Sequence, residues 1–157
     1  MSLYVIFSTI HLLGLDMGLG TCTVTYVISA YGMFKPSIMP KAVSLFKLLS
    51  FIIWAGLILL VVSGIGLSIV SKETYGELLQ SSFYHWKLIL VAVATLNGFY
   101  LNLIVTPKFE KAVALENFVK TKEYRNAMIL GTIGGFISFA CWYGAFFLGV
   151  YVFRIMG

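Results

Sequence analysis

Residues 48–71 read LLSFIIWAGLILLVVSGIGLSIVS, and no charged residue occurs between Lys47 and Lys72. A helix of about 20 apolar residues spans a hydrocarbon layer roughly 30 Å thick. A single strand could not span it, because its backbone N–H and C=O groups would have no hydrogen-bond partners in lipid. This stretch therefore predicts a transmembrane α-helix, and it decides the class of the fold.

Three further stretches of the chain have the same character. The predicted membrane helices lie at about residues 3–34, 45–71, 84–106 and 126–153. We predict an all-α fold, in which residues 1–157 form one membrane domain built as an up-and-down transmembrane four-helix bundle.

The composition agrees with lipid surroundings rather than with water. The chain is 60% hydrophobic and 11% charged, whereas about a quarter of the residues of an ordinary soluble domain are charged. The net charge of +5 does not indicate a nucleic-acid partner, because the basic residues lie at the ends of the apolar stretches and form no patch. The predicted partner of the surface is the lipid bilayer.

The basic residues concentrate in two of the three loops. They are Lys35, Lys41 and Lys47 in the first loop and Lys108, Lys111, Lys120, Lys122 and Arg125 in the third. The second loop carries Lys72 against Glu73 and Glu77. Because basic loops stay cytoplasmic, we predict a multi-pass protein of the inner (cytoplasmic) membrane with both termini outside. Arg154 near the C-terminus argues mildly against this orientation.

The third loop is charged but has an apolar pattern of its own. Its apolar residues Phe109, Val113, Leu115, Phe118 and Val119 follow one another at near-helical spacing. Two structures fit this pattern: a short helix lying at the membrane interface and an extension of the third membrane helix. The sequence does not choose between them.

Small residues predict close contacts between helices. They are spaced four apart as Gly14 and Gly18, Gly131 and Gly135, and Ala140 and Gly144. Such pairs let backbones approach in lipid, either within the bundle or in a homodimer. We interpret Cys22 and Cys141 as packing residues, and Asn97 and Asn102 as donors of hydrogen bonds between helices.

The chain has two histidines, and both fall at similar predicted depths. His11 precedes Lys35 by 24 residues and His85 precedes Lys108 by 23, which corresponds to about 36 and 35 Å of helix. An up-and-down bundle places the first and third helices on a diagonal, roughly 11–14 Å apart. This separation is too wide for direct contact between two imidazoles but fits a flat macrocycle between them.

The two histidines could therefore share a cofactor. Neutral imidazoles are axial ligands of haem iron, so we hypothesise that His11 and His85 bind one b-type haem near the outer face. Two simpler interpretations stay open. His85 could belong to an aromatic interfacial belt with Tyr84 and Trp86, and His11 could hydrogen-bond a neighbouring helix.

Asp16 and Lys87 are the charged residues inside the predicted spans that most need a role. The same measure places them within about 3 Å of each other in depth. One interpretation is a membrane-embedded ion pair. The other is a catalytic role, as a proton relay or a substrate contact. Lys87 could also meet a haem propionate or ligate the iron.

Two short motifs resemble those of a known group of membrane proteins. Residues 11–14 (HLLG) precede a glycine-rich stretch with Gly18 and Gly20, and residues 85–88 (HWKL) open the third helix. This combination resembles the small CopD-like and HemJ-like membrane proteins, which are similar to four-helix b-type haem proteins. The resemblance implies that His11 is a haem ligand.

The resemblance leaves the second ligand and the reaction open. It implies either His85 or Lys87 as the second ligand or a catalytic neighbour. One branch of the group is the HemJ protoporphyrinogen oxidase, whose pattern has an arginine and a further histidine late in the first helix. Residues 23–31 contain no basic residue, which disfavours porphyrinogen oxidation.

Four functions remain to be distinguished. We expect a membrane redox protein that passes electrons through one haem, with a quinone or another redox subunit as its partner. The alternatives are a HemJ-like oxidase, a transporter or channel for a metal ion or protons lined by Asp16 and the histidines, and a scaffold subunit. Whether the chain is an enzyme, a possible oxidoreductase, is left undecided.

Overall fold

The computed structural model describes residues 2–70, 76 and 80–156. Its α-helices are α1 (Leu3–Phe34), α2 (Met39–Val70), α3 (Ser82–Tyr100), α4 (Thr106–Val113) and α5 (Lys122–Met156). A π-helical segment, Leu101–Val105, joins α3 to α4, and 3-10 turns occur at Pro36–Ile38 and Phe118–Lys120. The described residues contain no strand.

The predicted fold class is confirmed. Four helical stretches are long and apolar enough to cross a membrane: Leu3–Phe34, Pro36–Val70, Ser82–Val113 and Lys122–Tyr151. The charges predicted for the second loop, Lys72, Glu73 and Glu77, lie outside the described residues, as does the side chain of Arg154.

Local sequence signals explain where the helices begin. Ser2, Ser81 and Thr121 each accept a hydrogen bond from the backbone N–H three residues further on, which caps α1, α3 and α5. Pro36 opens the turn between α1 and α2, where a missing N–H is harmless. The last three membrane helices begin a few residues earlier than the apolar pattern predicts, at Pro36, Ser82 and Lys122.

The packing order places α1 and α3 at opposite corners of the bundle. α1 packs along both α2 and α5, and α3 packs along α5. α2 and α3 meet through large side chains instead of close backbones. The rings of Trp54 and Phe99 have centroids 4.6 Å apart, and the hydroxyls of Ser68 and Tyr84 are 3.1 Å apart. The bundle is therefore closed on three sides and looser on the α2–α3 side.

Glycines make the α1–α2 contact the tightest in the bundle. A Cβ built at Gly14 would lie 2.8 Å from the carbonyl oxygen of Gly56, and one built at Gly56 would lie 2.8 Å from the carbonyl oxygen of Gly14. No real side chain tolerates such distances, so both positions require glycine. The small residues of α1 thus serve packing within the bundle.

The third loop resolves into an extension of the third membrane helix. α4 continues α3 through the π-helical segment, and its Phe109 and Ala112 are buried against Met39 and Tyr124. The Nζ of Lys47 is 2.9 Å from Oε1 of Glu110, which ties α2 to α4. The apolar face of this amphipathic segment therefore packs on protein. We call this end of the bundle, where the first and third loops meet, the basic end.

Candidate functional site

His11 lies on the side of α1 that packs against α2. Its Nδ1 is 3.0 Å from the Oγ of Ser63, a side chain with 0% exposure. The adjacent Gly64 leaves space for the ring, because a Cβ built there would lie 3.5 Å from Cε1 of His11. His11 is thus held between two helices, inside a predicted membrane span.

The hydrogen bonds of Ser63 define the state of His11. The Ser63 hydroxyl lies 2.5 Å from the carbonyl oxygen of Leu59 and 3.2 Å from that of Leu60. The shorter of these contacts indicates that the hydroxyl donates its single proton to the carbonyl of Leu59, so that Oγ accepts from Nδ1–H of His11. Nε2 consequently carries the lone pair, and it has no hydrogen-bond partner within the described part of the chain. Proteins orient metal-binding histidines through the other ring nitrogen in the same way.

Lys87 shares this region of the bundle. It is half-buried, and its Nζ lies 3.5 Å from the position of a Cβ built at Gly149 on α5. Lys87 makes no ion pair with any carboxylate in the ranges that the structure covers. We call His11, Ser63 and Lys87 the His11 site.

His85 does not face the interior. The residue is exposed, and its Nδ1 is 2.9 Å from the carbonyl oxygen of Ser81 one turn earlier. A carbonyl only accepts, so Nδ1 is again protonated and Nε2 is free. However, His85 and Lys87 are two residues apart and so point about 200° away from each other on the helix. The structure brings Lys87, but not His85, to the side of α3 that faces the bundle.

Asp16 lies on the outer surface of α1. It is exposed, because Gly14 and Gly18 on either side of it face the neighbouring helices and Asp16 points the opposite way. Asp16 and Lys87 are not within ion-pair distance. The ion pair is therefore absent, while a role for Asp16 as a proton relay or substrate contact stays a prediction.

A cavity lies on the basic side of the bundle centre, and sequence reasoning did not find it. Its volume is about 140 Å³, whereas about 10–15 Å³ is enough for one water molecule. It is lined by α1, α2, α5 and the α3–α4 segment, and none of the described residues that line it is charged. None of His11, Asp16, His85 and Lys87 is among its lining residues. We call this space the inner cavity.

The sequence feature that could have revealed the inner cavity is the set of polar residues inside the predicted spans. Asn97 was expected to bond between helices, and this is confirmed: its Nδ2 donates to the carbonyl of Gly134 and to Oγ of Ser138, both at 2.7 Å. Asn102 was expected to do the same, but it lines the cavity and has no such bond in the described residues. Only the fold distinguishes the two amides.

Two further features bear on the function: the cysteines and the possible metal-binding groups. Cys22 and Cys141 are buried and free, in keeping with packing roles. Among the residues that the structure describes, no three His, Cys, Asp or Glu side chains form a metal-binding group.

Comparisons with protein-family models, curated proteins and solved structures found no match. Any functional assignment must therefore come from the side chains of this chain.

Proposed function

We propose that the protein is a membrane b-type haem protein that transfers electrons, with His11 as an axial ligand of the iron. The observation that carries this proposal is the Ser63–His11 hydrogen bond of 3.0 Å. It holds the imidazole in one orientation and leaves Nε2 unprotonated, as an iron ligand requires. Ionisable side chains inside a membrane span are costly and usually functional.

Lys87 is the second residue of the proposed site. It is on the helix diagonal to α1, on the interior side, and without a carboxylate partner in the described ranges. A half-buried ammonium is stabilised by an anion, and a haem propionate would provide one. When bound, the haem supplies one-electron exchange at its iron. His11 and Lys87 would hold it.

The second axial ligand is proposed to be Lys87 or His85. His85 has the right tautomer but is exposed on the outside of α3. Lys87 points toward the interior of the bundle, but if it ligates the iron it cannot also pair with a haem propionate. The two assignments predict different absorption spectra for variants of the two residues.

We further propose that the protein lies in the inner (cytoplasmic) membrane. Its basic end would face the cytoplasm, and both termini would lie outside. The first and third loops meet at one end of the bundle, as the Lys47–Glu110 ion pair indicates. Their lysines therefore act together under the rule that basic loops stay inside. The His11 site would then lie toward the outer face.

An absorption spectrum tests the haem proposal. The protein, purified from cells with adequate haem supply, should have a Soret band and sharp α and β bands after reduction with dithionite. His11→Ala should lose these bands. Thr9→Ala, which changes an exposed residue one half-turn away, should keep them. A wild-type protein without haem absorption would contradict the proposal and favour a transporter or a scaffold.

A further inference from the structure

The inner cavity is separate from the His11 site and has its own chemistry. Its walls combine aromatic side chains with hydroxyl and amide groups. The aromatic walls include Phe46, Trp54 and Trp142, and in the part of the chain that the structure describes no Asp, Glu, Lys, Arg or His lines the cavity. Such a site favours a neutral and largely apolar ligand. A phospholipid headgroup would find no cation there to bind its phosphate.

Several hydroxyl groups in the spans are already satisfied by their own helix. Thr25 donates to the carbonyl of Thr21 at 2.8 Å, and Thr95 donates to that of Val91 at 2.7 Å. Ser29, Ser50 and Thr106 also line the cavity, but they make no side-chain hydrogen bond to the described residues. These hydroxyls, with the amide of Asn102, are unused donors on the wall of an apolar space.

The π-helical segment sets the position of two of these donors. Pro107 has no N–H that could bond to the carbonyl oxygen four residues before it. The N–H of the preceding residue, Thr106, bonds to the carbonyl oxygen of Leu101, five residues back. Single π-turns of this kind are frequent at functional sites. The segment carries Asn102 and Thr106, and both line the cavity.

The looser α2–α3 side of the bundle borders the inner cavity. Residues of both α2 and α3 line the cavity, and these are the neighbouring helices without close backbone packing. Trp54 and Phe99 bridge them only through their side chains, with ring centroids 4.6 Å apart. Entry between α2 and α3 requires these side chains to move but no helix to unfold.

We propose that the inner cavity binds a lipophilic quinone. A quinone is neutral, its flat ring fits between aromatic walls, and its carbonyl oxygens accept hydrogen bonds from Asn102, Thr106 and Ser50. A bare acyl chain would leave these half-buried donors without partners on the cavity wall, which is unfavourable. The site does not depend on haem, because none of its lining residues belongs to the His11 site.

Tryptophan fluorescence tests this proposal directly. Trp86→Phe removes the tryptophan that is 60% exposed and leaves Trp54 and Trp142, which line the cavity. Titration of this protein in detergent with decylubiquinone should give saturable quenching. Asn102→Leu and Thr106→Val should each weaken binding about tenfold, the effect of one lost buried hydrogen bond.

The controls separate specific quinone binding from partitioning of the quinone into detergent. Thr9→Val, an equivalent change on the exposed surface of α1, should leave the dissociation constant unchanged. Thr106→Val conserves side-chain shape and keeps the test valid if Asn102→Leu does not fold. His11→Ala should still bind decylubiquinone, so that a failure of the haem proposal is seen separately. Unsaturable quenching, equal binding by the cavity variants, or displacement by 1-decanol at equal concentration would overturn the proposal.

Discussion

The hydroxyl of Ser63 on α2 is hydrogen-bonded to His11, which lies 52 positions earlier in the chain. Because its proton is shared with carbonyls of its own helix, it can only accept from His11. One buried side chain therefore selects the tautomer of the proposed iron ligand. Ser68, one turn and a half later, uses its hydroxyl differently and bonds to Tyr84. These two serines are a matched pair for an experiment.

Ser63→Ala should weaken haem binding without removing the ligand itself. Loss of a residue that orients a metal-binding histidine usually reduces affinity about 10–100-fold. Haem titration of the apoprotein, followed at the Soret band, measures this change. Ser68→Ala should bind haem like the wild type. Equal affinities for the two variants would argue against the orienting role of Ser63.

Variants of Lys87 and His85 identify the second ligand. If Lys87 ligates the iron, Lys87→Met should convert a six-coordinate haem spectrum to a five-coordinate one that binds carbon monoxide, and His85→Ala should change little. If Lys87 only pairs with a propionate, Lys87→Met should lower affinity but keep the six-coordinate bands. Loss of those bands in His85→Ala alone would assign His85 instead.

At the scale of helices, the glycines of α1 have unequal roles. Gly14 touches the backbone of α2, with Gly56 and Leu60 both 2.8 Å from the position of an added Cβ. Gly20 has nothing within 4 Å of that position. The two residues are in the same helix, so helix propensity affects both equally and only packing differs.

Gly14→Ala should lower stability, and Gly20→Ala should not. Overpacking of a close contact costs about 1–3 kcal/mol, whereas alanine in an open helical position is favoured over glycine by up to about 1 kcal/mol. Thermal unfolding in detergent, followed by circular dichroism, measures both. A Gly14→Ala protein as stable as the wild type would mean that α1 and α2 separate readily.

At the scale of the whole molecule, the distribution of charge predicts how the bundle lies in the membrane. The first and third loops share the basic end, and we expect this end in the cytoplasm. A reporter enzyme that is active only outside the inner membrane should be active when fused after Gly157. It should be inactive when fused after Ala114, in the third loop. The opposite pattern would reverse the orientation and place the His11 site toward the cytoplasm.

The four spans and the helical class follow from the sequence alone. Lipid provides no hydrogen bonds to the backbone, so length and apolar composition are sufficient to predict each membrane helix. Such properties are local and need no knowledge of which helices are neighbours.

Only the tertiary structure decides which way the polar side chains face and where space remains. Asp16 and His85 lie outside the bundle and Lys87 inside, because the glycines and the packing order set the rotation of each helix. The inner cavity is lined by residues of four different helical segments, beside an α2–α3 contact made through large side chains. These contacts join residues distant in sequence, and no periodicity along one helix records them.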